Sequence, residues 1–254
     1  SGERFSVISD SISNSASINI SASKSYKRYK GLNSLYLYYG KTEKPFKISF
    51  ESDGKSIDKE LKDTLAVNRT LISNQNLEKI KIKIKANSNQ HFYGLSSESD
   101  SGVIIDNFSS RGNSGLALAS INSEILKSFN KWMDYDLIVF QFGINVTNAN
   151  MKDYNWYYKA FLKVIEHYKK NFPNTSILII GLADRGYKNV DEIITNPSIP
   201  LILKSQYKAA ISADVSFYNL FEAMGSYKSM KAWADKSHHW LIKIIPILTT
   251  VVGQ

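Results

Sequence analysis

The sequence predicts an α/β protein: a three-layer domain on a parallel sheet over residues 96–254, preceded by a β-sandwich or jelly-roll module over residues 1–95. Three observations predict it. Short runs with strict two-residue alternation recur up to about residue 95, the period of a half-buried strand. After Gly102 the pattern changes to apolar runs alternating with helical stripes, which implies a parallel sheet with right-handed crossovers. The apolar run Leu137–Phe142 breaks at Gly143 and hands over to Asn145. That pattern fits a buried strand delivering an amide side chain where open α/β sheets keep their ligands, at the carboxyl ends of the strands.

In chain order, Ser17–Ser21, Leu35–Tyr39 and Phe46–Phe50 alternate apolar and polar residues. Lys79–Lys85 does so most clearly, with Ile80, Ile82 and Ile84 on one face and lysines on the other. Gly40, Asp53-Gly54 and Asn87–Gln90 supply the turns between them. Surface aromatics of such a module often bind carbohydrate. Tyr26, Tyr29, Tyr36, Tyr38 and Tyr39 could serve, although in so small a module most aromatics belong to the core. Val103–Ile105 is predicted as a short buried strand, Leu116–Trp132 as a helix and Asp136–Phe142 as the central strand, with Val139 and Phe140 buried on opposite faces. Trp156, Tyr157, Ala160, Phe161, Val164, Ile165 and Tyr168 share one helical stripe, which Pro173-Asn174 ends. Ser176–Gly181 is the next strand, Pro200–Ser212 a helix and Val215–Leu220 a last strand.

A chain of 254 residues with 43% hydrophobic and 22% charged residues can bury a sizeable core, which excludes global disorder. It contains no cysteine, so disulfides, thiolate metal sites and a thiol nucleophile are ruled out. No signal peptide is read, and no apolar run reaches the length of a membrane span; Trp240–Val252 comes nearest and is interrupted by Lys243 and Pro246. The net charge of +9 is concentrated at the front: residues 1–90 hold 16 Lys/Arg against 9 Asp/Glu. Such an excess attracts polyanions. It also suits lysines that solvate strand faces, and no nucleic-acid-binding motif accompanies it, so no nucleic-acid partner is expected.

Three stretches carry candidate chemistry. In Asp235-Lys-Ser-His238 a carboxylate can hold one imidazole nitrogen and leave the other free as a general base. His239 is the alternative ring. Arg111-Gly112-Asn113 sits where a strand is predicted to end and a helix to begin, so its backbone N–H groups suit an oxyanion hole. Asn145 supplies a second, side-chain donor. Gly112-Asn-Ser-Gly115 is one residue short of a Gly-x-Ser-x-Gly nucleophile elbow and is rejected as one.

Taken in chain order, Gly112, Asn145 and Asp235-Lys-Ser-His238 resemble the SGNH (GDSL-type) hydrolases over residues 93–239. Gly102–Phe108 and Asn219–Met224 resemble a subgroup similar to peptidoglycan O-acetylesterases, in which a β-sandwich is inserted between the nucleophile and glycine blocks. The resemblance implies a three-layer, flavodoxin-like sheet and an ester hydrolase acting on O-acetylated bacterial surface glycan. It also implies a periplasmic or extracellular location and no metal or organic cofactor. Carried over, Gly112 and Asn145 are oxyanion donors, His238 the base and Asp235 its orienting carboxylate.

Two departures stand out. The family's Gly-Asp-Ser turn is echoed only by Ser9-Asp10-Ser11, with no helical stripe after it between Asn14 and Lys30. Residues 5–20 are therefore expected to open the β module, with the nucleophile block upstream of Ser1 or missing, and Ser11 is the alternative nucleophile. Past His238 the chain is bulky and carries Pro246, where the family has a small-residue helix. A glycan-binding protein with an incomplete site and an acetyl transferase on the same scaffold are the competing functions.

Overall fold

The computed structural model describes residues 15–22, 31–85, 90–99 and 101–236. The chain divides into two compact units, one of residues 1–105 with 122–132, the other of residues 106–121 with 133–254.

The strands of the first unit are β1 (Ser15–Ser21), β2 (Ser34–Tyr39), β3 (Phe46–Ser52), β4 (Lys55–Leu61), β5 (Asn68–Ser73), β6 (Lys79–Lys85) and β7 (Phe92–Glu98). They form two antiparallel sheets, one in the order β1-β6-β3-β4 and the other β5-β2-β7. The alternation seen in the sequence sets the register. Ile48 lies opposite Ile84, and Phe50 opposite Ile82. These side chains join Leu35, Leu37, Tyr39 and Phe92 of the other sheet in one apolar cluster. Tyr38 and Tyr39, candidates for a sugar-binding surface, are buried. Tyr39 packs edge-on against Phe46, and its hydroxyl donates to Asp63.

Where one helix was predicted over Leu116–Trp132, the structure has a single-turn 3-10 segment, Leu116–Ser120, and a separate helix α1 (Ser123–Met133). Ile121 between them is extended, and the Asn122 side chain accepts from the Glu124 N–H at 2.7 Å. Asparagine's local bond to the backbone thus stops one helix and starts the next. The restart changes the partner of α1. Phe129 meets Tyr38 and Tyr93 of the β unit, and the Trp132 indole donates to the Val67 carbonyl at 2.9 Å.

The second unit carries the parallel sheet, β12-β9-β8, from β8 (Leu137–Phe140), β9 (Ser176–Ile180) and β12 (Ser216–Tyr218). Helices α2 (Asn155–Asn171) and α3 (Ile199–Ala213) bury their stripes against Phe140, Ile177 and Ile179. A short hairpin, β10 (Gly186–Asn189) with β11 (Glu192–Thr195), interrupts the run from β9 to α3. After β12 come α4 (Leu220–Ala223) and α5 (Ser229–Lys236).

Two expectations fail here. Val103–Ile105 is not a strand: these residues lack regular structure and are 89%, 55% and 85% exposed. Three apolar residues between Gly102, in a left-handed conformation at φ 109°, and the polar stretch after Asp106 are too few to hold a strand without a neighbour. Val139 is 45% exposed while Phe140 is 3% exposed, so the strand is buried on one face only. Among the described residues β8 pairs with β9 alone, which puts it at the edge of the sheet and not at its centre.

The stripe of α2 carries one phenol, Tyr157, into the core and another, Tyr168, against it, and burial raises both: Tyr168 is pushed up to about 12 from 10.0, and Tyr157 is raised as well. A folded value above the unfolded one means that this stabilisation is complete below pH 10.0 and is lost as the pH climbs through about 12. A tyrosinate absorbance titration is expected to show late-ionising phenols whose appearance coincides with loss of near-ultraviolet circular dichroism. Ionisation of every tyrosine near the ordinary value, with the fold intact, would contradict this.

Candidate active site

Two loops at the carboxyl end of β8 meet through one hydrogen bond. Asn145 lies in a single-turn 3-10 segment (Ile144–Val146) entered through Gly143, and its Nδ2 donates to the Asn113 carbonyl at 2.8 Å. That carbonyl directly follows Gly112. The two predicted oxyanion donors are therefore neighbours, Gly112 at φ 77° and Asn145 exposed with one amide hydrogen committed to the turn.

Glycine is required twice to bring these loops together. A Cβ on Gly115, which sits at φ 83°, would lie 2.5 Å from the Phe142 ring, so this turn rests directly on the second residue after β8. A Cβ on Gly143, at φ 111°, would lie 3.1–3.3 Å from side-chain atoms of Gln206, Ile202 and Leu182. A Cβ on Gly112, by contrast, would meet nothing within 4 Å. The Asn113 side chain closes its own turn by accepting from the Gly115 N–H at 2.8 Å.

Three polar residues that the sequence reading passed over hold this end of the sheet. Gln206 of α3 is fully buried; its Nε2 donates to the Phe142 carbonyl at 2.8 Å and its Oε1 accepts from the Leu182 N–H at 3.2 Å. It thereby ties the ends of β8 and β9 together. Arg185 donates to the Ile144 carbonyl at 3.2 Å and to Thr147 Oγ1 at 2.5 Å, linking the loop after β9 to the Asn145 turn. Asp184, 2% exposed, receives the Met230 N–H at 2.9 Å and the Ser229 hydroxyl at 3.4 Å, and so anchors the start of α5. A glutamine inside a mostly apolar helix stripe was the one available signal.

Asp235 lies on α5, exposed, and pairs with Lys231 one turn earlier. The hairpin steadies the same region: Lys228 donates to Glu192 at 2.6 Å, and that contact lowers the Glu192 carboxyl. Ser11, His238 and His239 lie outside the described residues, as do Tyr26 and Tyr29. Among the described residues no group of three or more His, Cys, Asp and Glu is placed to hold a metal ion, and no helix is long and apolar enough to cross a membrane.

No protein-family model and no curated protein matches the chain. Among solved structures, one described as a peptidoglycan O-acetylesterase in action matches at a TM-score of 0.58 and 14% identity, over 93% of this chain and 71% of that one. Family two carbohydrate esterases from Clostridium thermocellum, in complex with cellohexaose, and from Cellvibrio japonicus match at TM-scores of 0.27 and 0.29. Their identities are 11% and 10%, over 80% of this chain and 80% and 88% of theirs. Those two likenesses are too distant to say anything of this chain. The first is not: the chain shares the fold of that structure, and its resemblance to the SGNH hydrolases and their O-acetylesterase subgroup holds at the level of fold.

Proposed function

We propose that this chain is an SGNH-type ester hydrolase that removes O-acetyl groups from a bacterial surface glycan such as peptidoglycan. One observation carries the reading: the Gly112 turn and Asn145 meet at the carboxyl end of a parallel strand, joined by the 2.8 Å bond from Asn145 to Asn113. That bond leaves the second Asn145 amide hydrogen, with the Gly112 N–H, to receive a developing oxyanion. The serine oxygen attacks the acetyl carbonyl while His238 takes its proton. The ester C–O bond then breaks, and His238 returns the proton to the departing sugar hydroxyl. Water, deprotonated by the same ring, releases acetate and restores the serine. Asp235 orients the ring, which requires its carboxylate to serve His238 as well as Lys231. No metal or organic cofactor enters the scheme.

The reading places the protein in the cell envelope, as an SGNH hydrolase-like α/β domain over residues 96–254 with a β-sandwich over residues 1–95. The nucleophile is Ser11 or a serine upstream of Ser1. A second reading, a glycan-binding protein with an incomplete site, is favoured by Ser9-Asp10-Ser11 standing where the family has Gly-Asp-Ser.

The test measures acetate release from an O-acetylated glycan by residues 1–254, by the Ser11→Ala variant and by an N-terminally extended chain. Little turnover is expected from residues 1–254 and robust turnover from the extended chain. Turnover in residues 1–254 that vanishes with Ser11→Ala assigns the nucleophile to Ser11 instead. Transfer of acetyl to an added glycan acceptor in preference to water would make the protein a transferase. No turnover in any of them, with glycan still bound, would leave the binding reading.

A further inference from the structure

The outer face of the sheet β1-β6-β3-β4 carries a row of lysines that no fold requirement explains. Lys79, Lys81, Lys83 and Lys85 project from β6 on the side opposite its buried isoleucines. Alternate residues of a strand stand about 6.8 Å apart, so the row runs for about 20 Å. Lys47 of β3 extends it sideways, directly across from Lys85. Lysines commonly guard the edges of sheets, but β6 is an interior strand with β1 on one side and β3 on the other. Like charges directly opposite one another destabilise a sheet, and lysine has little preference for an interior strand. Among the described residues only Lys83 of these five has an ion-pair partner, Glu51.

The rest of the face limits what can lie on it. On the β1 side, Ser17 stands opposite Lys83, Asn19 opposite Lys81 and Ser21 opposite Lys79, a row of hydroxyl and amide groups beside the row of ammoniums. On the other side, Glu51 of β3 stands opposite Lys81, and Asp58 and Glu60 of β4 face Ser49 and Lys47; these carboxylates would repel an anion. The attractive track is therefore narrow, one-sided and linear, formed by β6 and β1. None of these residues is aromatic, so among the described residues of this face there is no ring on which nucleic-acid bases could stack. Ammoniums for carboxylates, beside small polar groups for sugar hydroxyls, suit one occupant.

We propose that this face binds a linear acidic glycan, a polysaccharide bearing carboxylates along its length. The site belongs to the β unit alone and does not depend on the esterase reading. The lysine row then serves binding at some expense of stability. An exposed site of this kind is screened by salt, with a Debye length of about 10 Å at 0.1 M.

The test is binding of the full chain to an oligogalacturonate, with a neutral oligosaccharide of equal length, inorganic polyphosphate and single-stranded DNA as comparison ligands. The chain is expected to bind the oligouronate, more weakly as salt is raised, and to ignore the neutral sugar. Lys81→Gln with Lys85→Gln is expected to weaken binding about tenfold, the worth of two exposed charges. The urea midpoint of that double variant should change little, because losing the attraction of Lys81 to Glu51 across the strands is offset by relieving the repulsion between Lys85 and Lys47. Lys163→Gln with Lys204→Gln removes two exposed charges from α2 and α3 and should leave binding as it was. Equal binding of the neutral sugar, equal losses in both double variants, or binding of DNA or polyphosphate as tightly as the uronate would each overturn the assignment.

Discussion

Replacing Phe140 with alanine is expected to cost about 3–5 kcal/mol, the range for emptying an aromatic site in a packed core. Phe140 is 3% exposed and meets Tyr168 edge-on at 5.1 Å between ring centroids and Phe161 at 6.2 Å. These contacts join β8 to the stripe of α2, so the cavity would open where the strand meets its covering helix. The neighbouring residue is the control. Val139 is 45% exposed, and Val139→Ala should cost less than about 1 kcal/mol, as surface substitutions usually do. Urea unfolding of the two variants checks both figures. Similar losses for the pair would mean that β8 is buried on both faces, contrary to the structure.

The contrast between Val139 and Phe140 also shows what could be learned from residue order. Periodicity was sufficient wherever a segment's neighbours in space follow from its own pattern. Lys79–Lys85 forms β6 with its isoleucines inside, and the stripe from Trp156 to Tyr168 lies within α2. It failed where the outcome depends on a partner. Leu137–Phe140 is apolar throughout, and nothing in it reveals that one face lacks a cover. Val103–Ile105 is apolar too, yet without a neighbouring strand among the described residues it has no sheet to join. The break at Asn122 was legible in principle, since an asparagine before a serine is a helix start.

Within the candidate site the same division holds. Gly112 and Asn145 stand out in the sequence because a glycine turn and a strand-end amide are local features. The structure adds that the two loops touch, through the bond to Asn113. Gln206, Arg185 and Asp184 acquire their roles only through tertiary contacts: a glutamine between two strand ends, an arginine between two loops and a carboxylate at a helix start. Apart from the place of Gln206 in a mostly apolar helix stripe, each is an ordinary residue in an ordinary local setting, and spacing could not single it out.

The central claim is that the end of β8 forms an oxyanion site for ester hydrolysis, and Asn145 is the residue through which to test it. Removing one oxyanion donor typically lowers kcat by about 10²–10³. The structural loss is small by comparison, since the bond from Asn145 to Asn113 is exposed, and such a bond contributes about 1 kcal/mol. The decisive measurement is kcat for a chromogenic acetate ester with the N-terminally extended chain and its Asn145→Ala variant, with urea midpoints recorded in parallel. The account predicts a fall in kcat of about 10²–10³ with the midpoint nearly unchanged. An Asn145→Ala variant that turns over the ester as fast as its parent would contradict it.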